Sequence, residues 1–352
     1  MIKVGRILFF GELPSKSVHG ITIANSINIE MLKSKYNVDI LTERNKFNLH
    51  NRFSVKKIIY SFSDCIKISY KALWREYQYF YLVFSLSSSG SLKTLSAILA
   101  FRLLNRGDVV LHIHRGDFFS RFYKGFLNKF VTKFILKFSK KIIVLSDEQR
   151  KEFETRFKYQ FFSLPNTITK EICQGARSIG DTNFLFISNY LVDKGIFDLL
   201  EVFRSLSSEI KGIRLKCFGE FTDTESRELL ASYNSYNISV NGPVGESEKY
   251  NELLNADCLV LPSWNEGQPL ILLEAMSVKT PVISSEVGLI PVMLGYDYPF
   301  LIKPGDRLIL RQKLLEFINF KAKNELGEHL FSRYQKCFSR NVHYDILFTV
   351  FS

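Results

Sequence analysis

Cysteine is sparse and scattered in this chain. The five cysteines (Cys65, Cys173, Cys217, Cys258 and Cys337) form no Cys-x-x-Cys pair and no Cys/His group. That excludes a zinc-ligand spacing and a disulfide framework, and it is the cysteine usage of a reducing compartment. Long apolar runs are also missing. The nearest to a membrane span, residues 80–104, is broken by Ser87-Ser88-Ser89-Gly90 and by Lys93 and Arg102, whereas a span needs about 18 or more uninterrupted apolar residues. The opening stretch, with Ile7-Leu8-Phe9-Phe10, has too short an apolar run for a signal peptide and reads as a first strand. No Gly-x-Gly-x-x-Gly follows that strand, which counts against a dinucleotide oxidoreductase. Neither an internal repeat nor a low-complexity segment occurs.

With 352 residues, 46% hydrophobic and 23% charged, the chain has the size and composition of two soluble domains, each able to bury its own core. The charge is uneven. Residues 1–170 carry 29 Lys+Arg against 12 Asp+Glu, a balance of +17, while the remaining 182 carry 18 against 23, a balance of −5, which together give the net +12. A basic front half coupled to an acidic back half speaks of partners rather than fold. Nucleic acid, anionic lipid and a phosphorylated acceptor all fit it.

Read in order, Arg6 to Gly11 is a strand, Gly20 opens a helix that runs to about Lys35, and Val38 to Thr42 is a second strand, the start of a parallel sheet. Residues 51–80 are basic and aromatic without a clear motif. Strands are expected from Tyr81 and from Asp108, and the latter runs into His112-Ile113-His114-Arg115-Gly116. His112 and His114, two residues apart on a strand, share one face. Over 119–141, Phe122, Phe126, Phe130, Phe134 and Phe138 recur every four residues beside Lys129, Lys133 and Lys137, the pattern of one helix with an aromatic stripe flanked by lysines. The phenylalanines suit the sheet, and the lysines then face water or anionic lipid, at roughly 1 kcal/mol per basic residue near such a surface. A linker is expected at 168–182, with a new sheet starting at Asn183.

One stretch of the second half stands out. Asp257 to Pro262 reads as a buried strand that ends in a loop holding Glu266 and Gly267. Residues 269–278 are good helix formers with Pro269 in the first turn, and Pro281-Val-Ile starts the next strand. The free N–H groups and positive dipole end of such a helix attract anions. Two carboxylates, Glu266 and Glu274, beside that end make sense if they accept hydrogen bonds from sugar hydroxyls while the amides hold phosphates. A first-turn dipole partner and a solvated helix residue fit the spacing equally.

The frame Glu266-Gly-Gln-Pro-Leu-x-x-x-Glu274-Ala-Met closely resembles that of family 4 of the retaining glycosyltransferases. The resemblance implies an α/β protein of the B-type (GT-B) fold, two Rossmann-like domains whose parallel sheets face a cleft. It implies an acceptor-binding domain at 1–172, a nucleotide-sugar domain at 173–335, and a final helix over 336–352 that crosses back to the first domain. Glu266 would contact the donor sugar and Glu274 the ribose. The backbone of Gly267, Gln268, Pro269 and Leu270 would lie near the sugar and diphosphate, and Lys194, before Gly195, would meet the diphosphate. Gly219 and Val244 would line the nucleotide, Gly20 would let a first-domain loop approach the donor phosphates, and His114 would help to position the reacting sugar. His112 is a weaker match. Three positions depart from the pattern: Asn189 stands where the family usually has an arginine, Leu289 where it has a glycine, and Val278-Lys279 where a small residue is usual.

The reaction so implied is metal-independent, retaining transfer of a sugar from a UDP- or GDP-linked donor to a hydroxyl acceptor. No cofactor is expected. The chain holds no Asp-x-Asp, and Asp223-Thr-Glu225 is no substitute. The implied acceptor is a saccharide on a lipid carrier in bacterial surface polysaccharide assembly, with the protein cytoplasmic or peripheral on the inner face of the plasma membrane, its basic front domain toward anionic lipid. Two other readings compete: a nucleotide-sugar epimerase on a related fold, and a binding protein whose basic front half engages nucleic acid. The second leaves the glutamate frame without a task, so no nucleic-acid partner is expected.

Overall fold

A computed structural model describes residues 3–14, 20–43, 55–85, 87–122, 126–170 and 181–352. The chain divides into two compact units, one of residues 1–169 with 340–352, the other of residues 170–339. Each holds one six-stranded sheet, and every strand pairing is parallel. The bulk of the expected linker, 171–180, lies outside the described residues, as do residues 15–19 of the loop before Gly20.

The first sheet has the order β2-β1-β3-β4-β5-β6. Its strands are β1 (Gly5–Gly11), β2 (Tyr36–Thr42), β3 (Tyr79–Val83), β4 (Asp108–His112), β5 (Lys141–Val144) and β6 (Phe161–Ser163). Successive side chains of a strand point to opposite faces, so the apolar run Ile7-Leu8-Phe9-Phe10 feeds two cores. Leu8 and Phe10 join Phe80, Leu82 and Leu111 under the helices Ser88–Leu104 and Phe126–Phe138. Ile7 and Phe9 join Tyr79, Tyr81 and Val110 on the other face. There the helix Gly20–Lys35 packs together with the last helix, Arg340–Val350, which contributes Leu347 and Val350.

Residues 51–80, which show no sequence motif, contain the helix Val55–Trp74. The stripe over 119–141 is helical over Phe118–Phe122 and Phe126–Phe138, and 123–125 and the side chain of Phe126 lie outside the described residues. Phe122 is buried while Phe130 is half exposed, so the stripe faces the core only in part; Lys133 and Lys137 face water.

The second sheet has the order β12-β11-β10-β7-β8-β9. Its strands are β7 (Thr182–Ile187), β8 (Ile213–Phe218), β9 (Ile238–Asn241), β10 (Cys258–Leu261), β11 (Val282–Ser285) and β12 (Leu301–Ile302). The chain builds outward from β7 to β9, then crosses over to β10 and builds the other way. The topological switch point therefore lies between β7 and β10, and open α/β sheets bind ligands at the carboxyl edge of such a point.

Candidate active site

Lys194 and Glu266 meet at that edge. β7 is followed by a single turn of 3-10 helix, Val192–Lys194, and β10 by the loop that holds Glu266. Because β7 and β10 are sheet neighbours, residues 72 apart in sequence come together: Lys194 Nζ lies 2.8 Å from Glu266 Oε1. Ser263 Oγ donates to the same carboxylate oxygen at 3.0 Å. The two loops touch through backbone. Gly195 has φ +73°, and a Cβ there would stand 2.1 Å from the carbonyl oxygen of Pro262. Only glycine permits both that conformation and that approach.

A second loop braces the first from below. Leu289 N–H donates to the carbonyl of Gly267 at 2.9 Å. Gly288, at φ +57°, would place a Cβ 2.0 Å from the carbonyl oxygen of Glu266. The segment after β11 thus sets the backbone of the glutamate loop. Trp264 is tied down as well, its backbone N–H donating to the Asp193 carbonyl at 2.8 Å and its indole N–H to Asp198 at 3.0 Å.

The helix Leu270–Ser277 begins at Pro269 without a side-chain cap. Its first amides therefore keep free hydrogens beside a buried Gln268 and a mostly buried Glu266. Glu274 is not a solvated helix residue. It is buried and paired with Lys249, whose Nζ lies 2.5 Å from Glu274 Oε1. Burial raises the Glu274 carboxyl above its usual range, and Lys249 pulls it back down. The sequence reading did not single out Lys249, which lies on the preceding helix Glu246–Asn255. Both glutamates of the frame are thus matched by a lysine. Gly219 follows β8, where a Cβ would stand 2.1 Å from the carbonyl of Ser188, and Val244 lies half-buried on the loop after β9. Lys194, Gly219, Val244 and the 266–270 loop all sit at the carboxyl edge of one sheet.

In the first unit Gly20 is exposed at the start of its helix. His112 and His114 do share a face: their ring centroids are 3.7 Å apart and both rings are buried. His112 Nδ1 lies 2.7 Å from the hydroxyl of Tyr81, while His114 has no hydrogen-bond partner on either ring nitrogen among the described residues. Burial, then the neighbouring His343, holds His114 down to about 3. His112 is also held well below the ordinary histidine range, by burial and then by His114 and His343. His343 is held down to about 4, chiefly by burial.

These histidines make the first unit acid-labile. In the unfolded chain each returns to an ordinary imidazole, so the unfolded state binds more protons below about pH 6.5 and stability falls with falling pH from there toward 4 and then 3. The expected loss is about 2 kcal/mol for each of His114 and His343 by pH 5. Denaturant unfolding at pH 7 and pH 5 reads it directly, and His343→Gln flattens the dependence. Equal stability at both pH values would mean that the rings are charged in the fold.

Residues 181–319, the core of the second unit, match the family described as glycosyl transferases group 1. A putative teichuronic acid biosynthesis glycosyltransferase of Bacillus subtilis, TuaC, is 28% identical over 155 residues, which cover 44% of this chain and 38% of that protein. The chain spans between 38% and 53% of the length of the first curated relatives that it matches. Among solved structures, the sucrose-phosphate synthase of Thermosynechococcus elongatus superposes with a TM-score of 0.78 at 16% identity, over 99% of this chain and 98% of that one. An Escherichia coli protein of trehalose-6-phosphate chemistry, solved with UDP-2-fluoro glucose, gives a TM-score of 0.74 at 10% identity over 98% of both chains. The fold is that of the GT-B glycosyltransferases.

Proposed function

We propose that this protein is a retaining, metal-independent glycosyltransferase that moves a sugar from a nucleotide diphosphate sugar to a hydroxyl acceptor. The observation that carries the reading is the Lys194–Glu266 pair at the switch-point edge, beside the uncapped start of the helix Leu270–Ser277. Departure of a nucleoside diphosphate builds negative charge on phosphate oxygens. Lys194, a mobile cation, and the free amides at 270–271 offer the compensating charge without a metal. Glu266 can then exchange Lys194 for the hydroxyls of the donor ring. Glu274, held by Lys249, faces the ribose, Gly219 and Val244 offer backbone to the nucleotide, Gly20 lets a first-domain loop approach the donor phosphates, and His114 helps to position the reacting sugar. A group matched to an anion in the free protein is pre-organised for one in the complex.

The match to TuaC and the basic first half favour a lipid-linked saccharide acceptor in bacterial surface polysaccharide synthesis. The geometry also shifts the element that would meet lipid. On the helix Val55–Trp74 the side chains of Ile59, Phe62, Ile66, Tyr70 and Leu73 are all more than half exposed, at spacings of three and four that place them on one face. That apolar face suits a lipid surface better than the partly buried phenylalanine stripe does, and the exposed Lys133 and Lys137 of the phenylalanine helix add basic charge to the same unit. Flotation with phosphatidylglycerol vesicles is expected to recover the protein at low salt, and Phe62→Glu to lower that recovery. Recovery unchanged by Phe62→Glu rules this face out.

Mass balance tests the reaction. The protein, offered UDP-glucose, UDP-N-acetylglucosamine and GDP-mannose with a bacterial lipid-linked saccharide fraction, is expected to release nucleoside diphosphate in step with a glycosylated product of unchanged anomeric configuration. Interconversion of nucleotide sugars without an acceptor would point to the epimerase instead.

A further inference from the structure

The buried histidines of the first unit are joined by a chain of hydrogen bonds that reaches the last helix. His343, on that helix, places Nδ1 2.7 Å from the carbonyl of Pro165 and Nε2 2.7 Å from Asn28 Oδ1. Asn28 Nδ2 lies 2.9 Å from the hydroxyl of Tyr81, and that hydroxyl 2.7 Å from His112 Nδ1. All five side chains, counting His114 with its ring tilted 30° against that of His112, are at most 7% exposed. Four separate elements (the helices Gly20–Lys35 and Arg340–Val350 and the strands β3 and β4) thus converge on one ring pair.

Only two arrangements put one hydrogen in every bridging contact and give the Tyr81 hydroxyl hydrogen an acceptor. The Pro165 carbonyl can only accept, so His343 Nδ1 carries a hydrogen in both. In the first, His343 is an imidazolium that also donates from Nε2 to Asn28 Oδ1. The Asn28 amide then donates to Tyr81, Tyr81 donates to His112 Nδ1, and His112 carries its hydrogen on Nε2. In the second, His343 is neutral with a bare Nε2. The Asn28 amide turns end for end, which leaves its shape unchanged, and donates to His343. Tyr81 donates to the amide oxygen, and His112 donates from Nδ1 to Tyr81 and keeps Nε2 bare. Burial holds His343 neutral near pH 7, which selects the second.

We propose that His112 is a positioning residue for His114, fixed as the Nδ1–H tautomer from the C-terminal helix through His343, Asn28 and Tyr81. Among the described residues His114 forms no hydrogen bond that could set its own ring, so packing orients it, and the face of His112 is part of that packing. A ring held in one tautomer by a neighbour, itself held by a third group, is how a histidine is aimed without being charged. The inference rests on the role proposed above for His114, the positioning of the reacting sugar.

The test is nitrogen-15 imidazole NMR on the full chain labelled at its six histidines, with signals assigned by His112→Asn and His343→Gln. The wild type is expected to show His112 protonated at Nδ1 and bare at Nε2, with the His114 ring protons shifted upfield by the His112 ring. Tyr81→Phe is expected to move His112 toward the Nε2–H form and to weaken that upfield shift. It should also lower kcat on the order of 10- to 100-fold, read as nucleoside diphosphate release from whichever of UDP-glucose, UDP-N-acetylglucosamine or GDP-mannose turns over, with the donor KM unchanged. The Nε2–H form of His112 in the wild type overturns the assignment before any variant is made. A tautomer shift with kcat intact overturns the positioning role and leaves the proposed function standing. No turnover by the wild type overturns the proposed function, and the tautomer still reads.

Discussion

Glu266→Ala is expected to lower sugar transfer by roughly two to three orders of magnitude, the usual loss when one preorganised group facing a charged transition state is removed. The effect has two parts. The donor ring loses an acceptor for its hydroxyls, and Lys194 loses the partner 2.8 Å away that holds its ammonium at the switch-point edge. Lys194→Ala should cost a similar factor, because the diphosphate then leaves against fewer positive charges. Since the two act as a unit, the double variant is expected to lose far less than the product of the two single losses. Rates of the two single variants and the double one close the cycle. Losses that simply multiply would mean that the two residues serve separate steps. Glu266→Gln separates the parts, since it keeps an oxygen for the sugar and gives up the charge that holds Lys194.

The second large effect is on backbone. Gly288→Val puts a β-branched residue at φ +57° and aims its Cβ at the carbonyl oxygen of Glu266, 2.0 Å away. The left-handed conformation alone costs about 1–3 kcal/mol, and the clash must also push the glutamate loop off the hydrogen bond between Gly267 and Leu289. A fall in Tm of roughly 10 °C follows for a unit of this size, together with loss of nucleotide binding. Gly242→Ala is the control. A Cβ there meets nothing within 4 Å, so its Tm should stay within about 2 °C of the wild type. A Gly288→Val protein as stable as Gly242→Ala would show that the loop after β11 does not brace the site.

Much of this was legible in the sequence, and for identifiable reasons. Buried parallel strands such as Asp257 to Pro262 and Ile7 to Phe10 announce themselves as short apolar runs closed by turn residues, so both sheets could be foreseen. The glutamate frame fixed where the second unit's loop and helix begin, because the strand end, glycine, proline and helix formers agree on one geometry. The helix Val55–Trp74 escaped because its apolar face is turned to solvent, and exposed apolar residues among lysines blur the core-facing signal. Lys249 was not foreseen because its partner Glu274 lies 25 residues on, across two helices and a strand. The tie between His343 and Asn28 spans 315 residues. No local pattern encodes such a contact, and only the return of the last helix to the first unit creates it. The demand on Gly288 comes from the carbonyl of Glu266 pressing from a different segment, which no local pattern shows.

The most direct test of the account is calorimetric titration of the wild type, Lys194→Ala and Glu274→Gln with UDP, GDP and ADP. The account predicts that one nucleoside diphosphate binds the wild type and raises its Tm by mass action. It predicts that Lys194→Ala weakens that binding through the diphosphate and Glu274→Gln through the ribose. Binding of none of the three, or binding that neither substitution alters, would contradict the assignment of the second unit's switch-point edge as a nucleotide-sugar site.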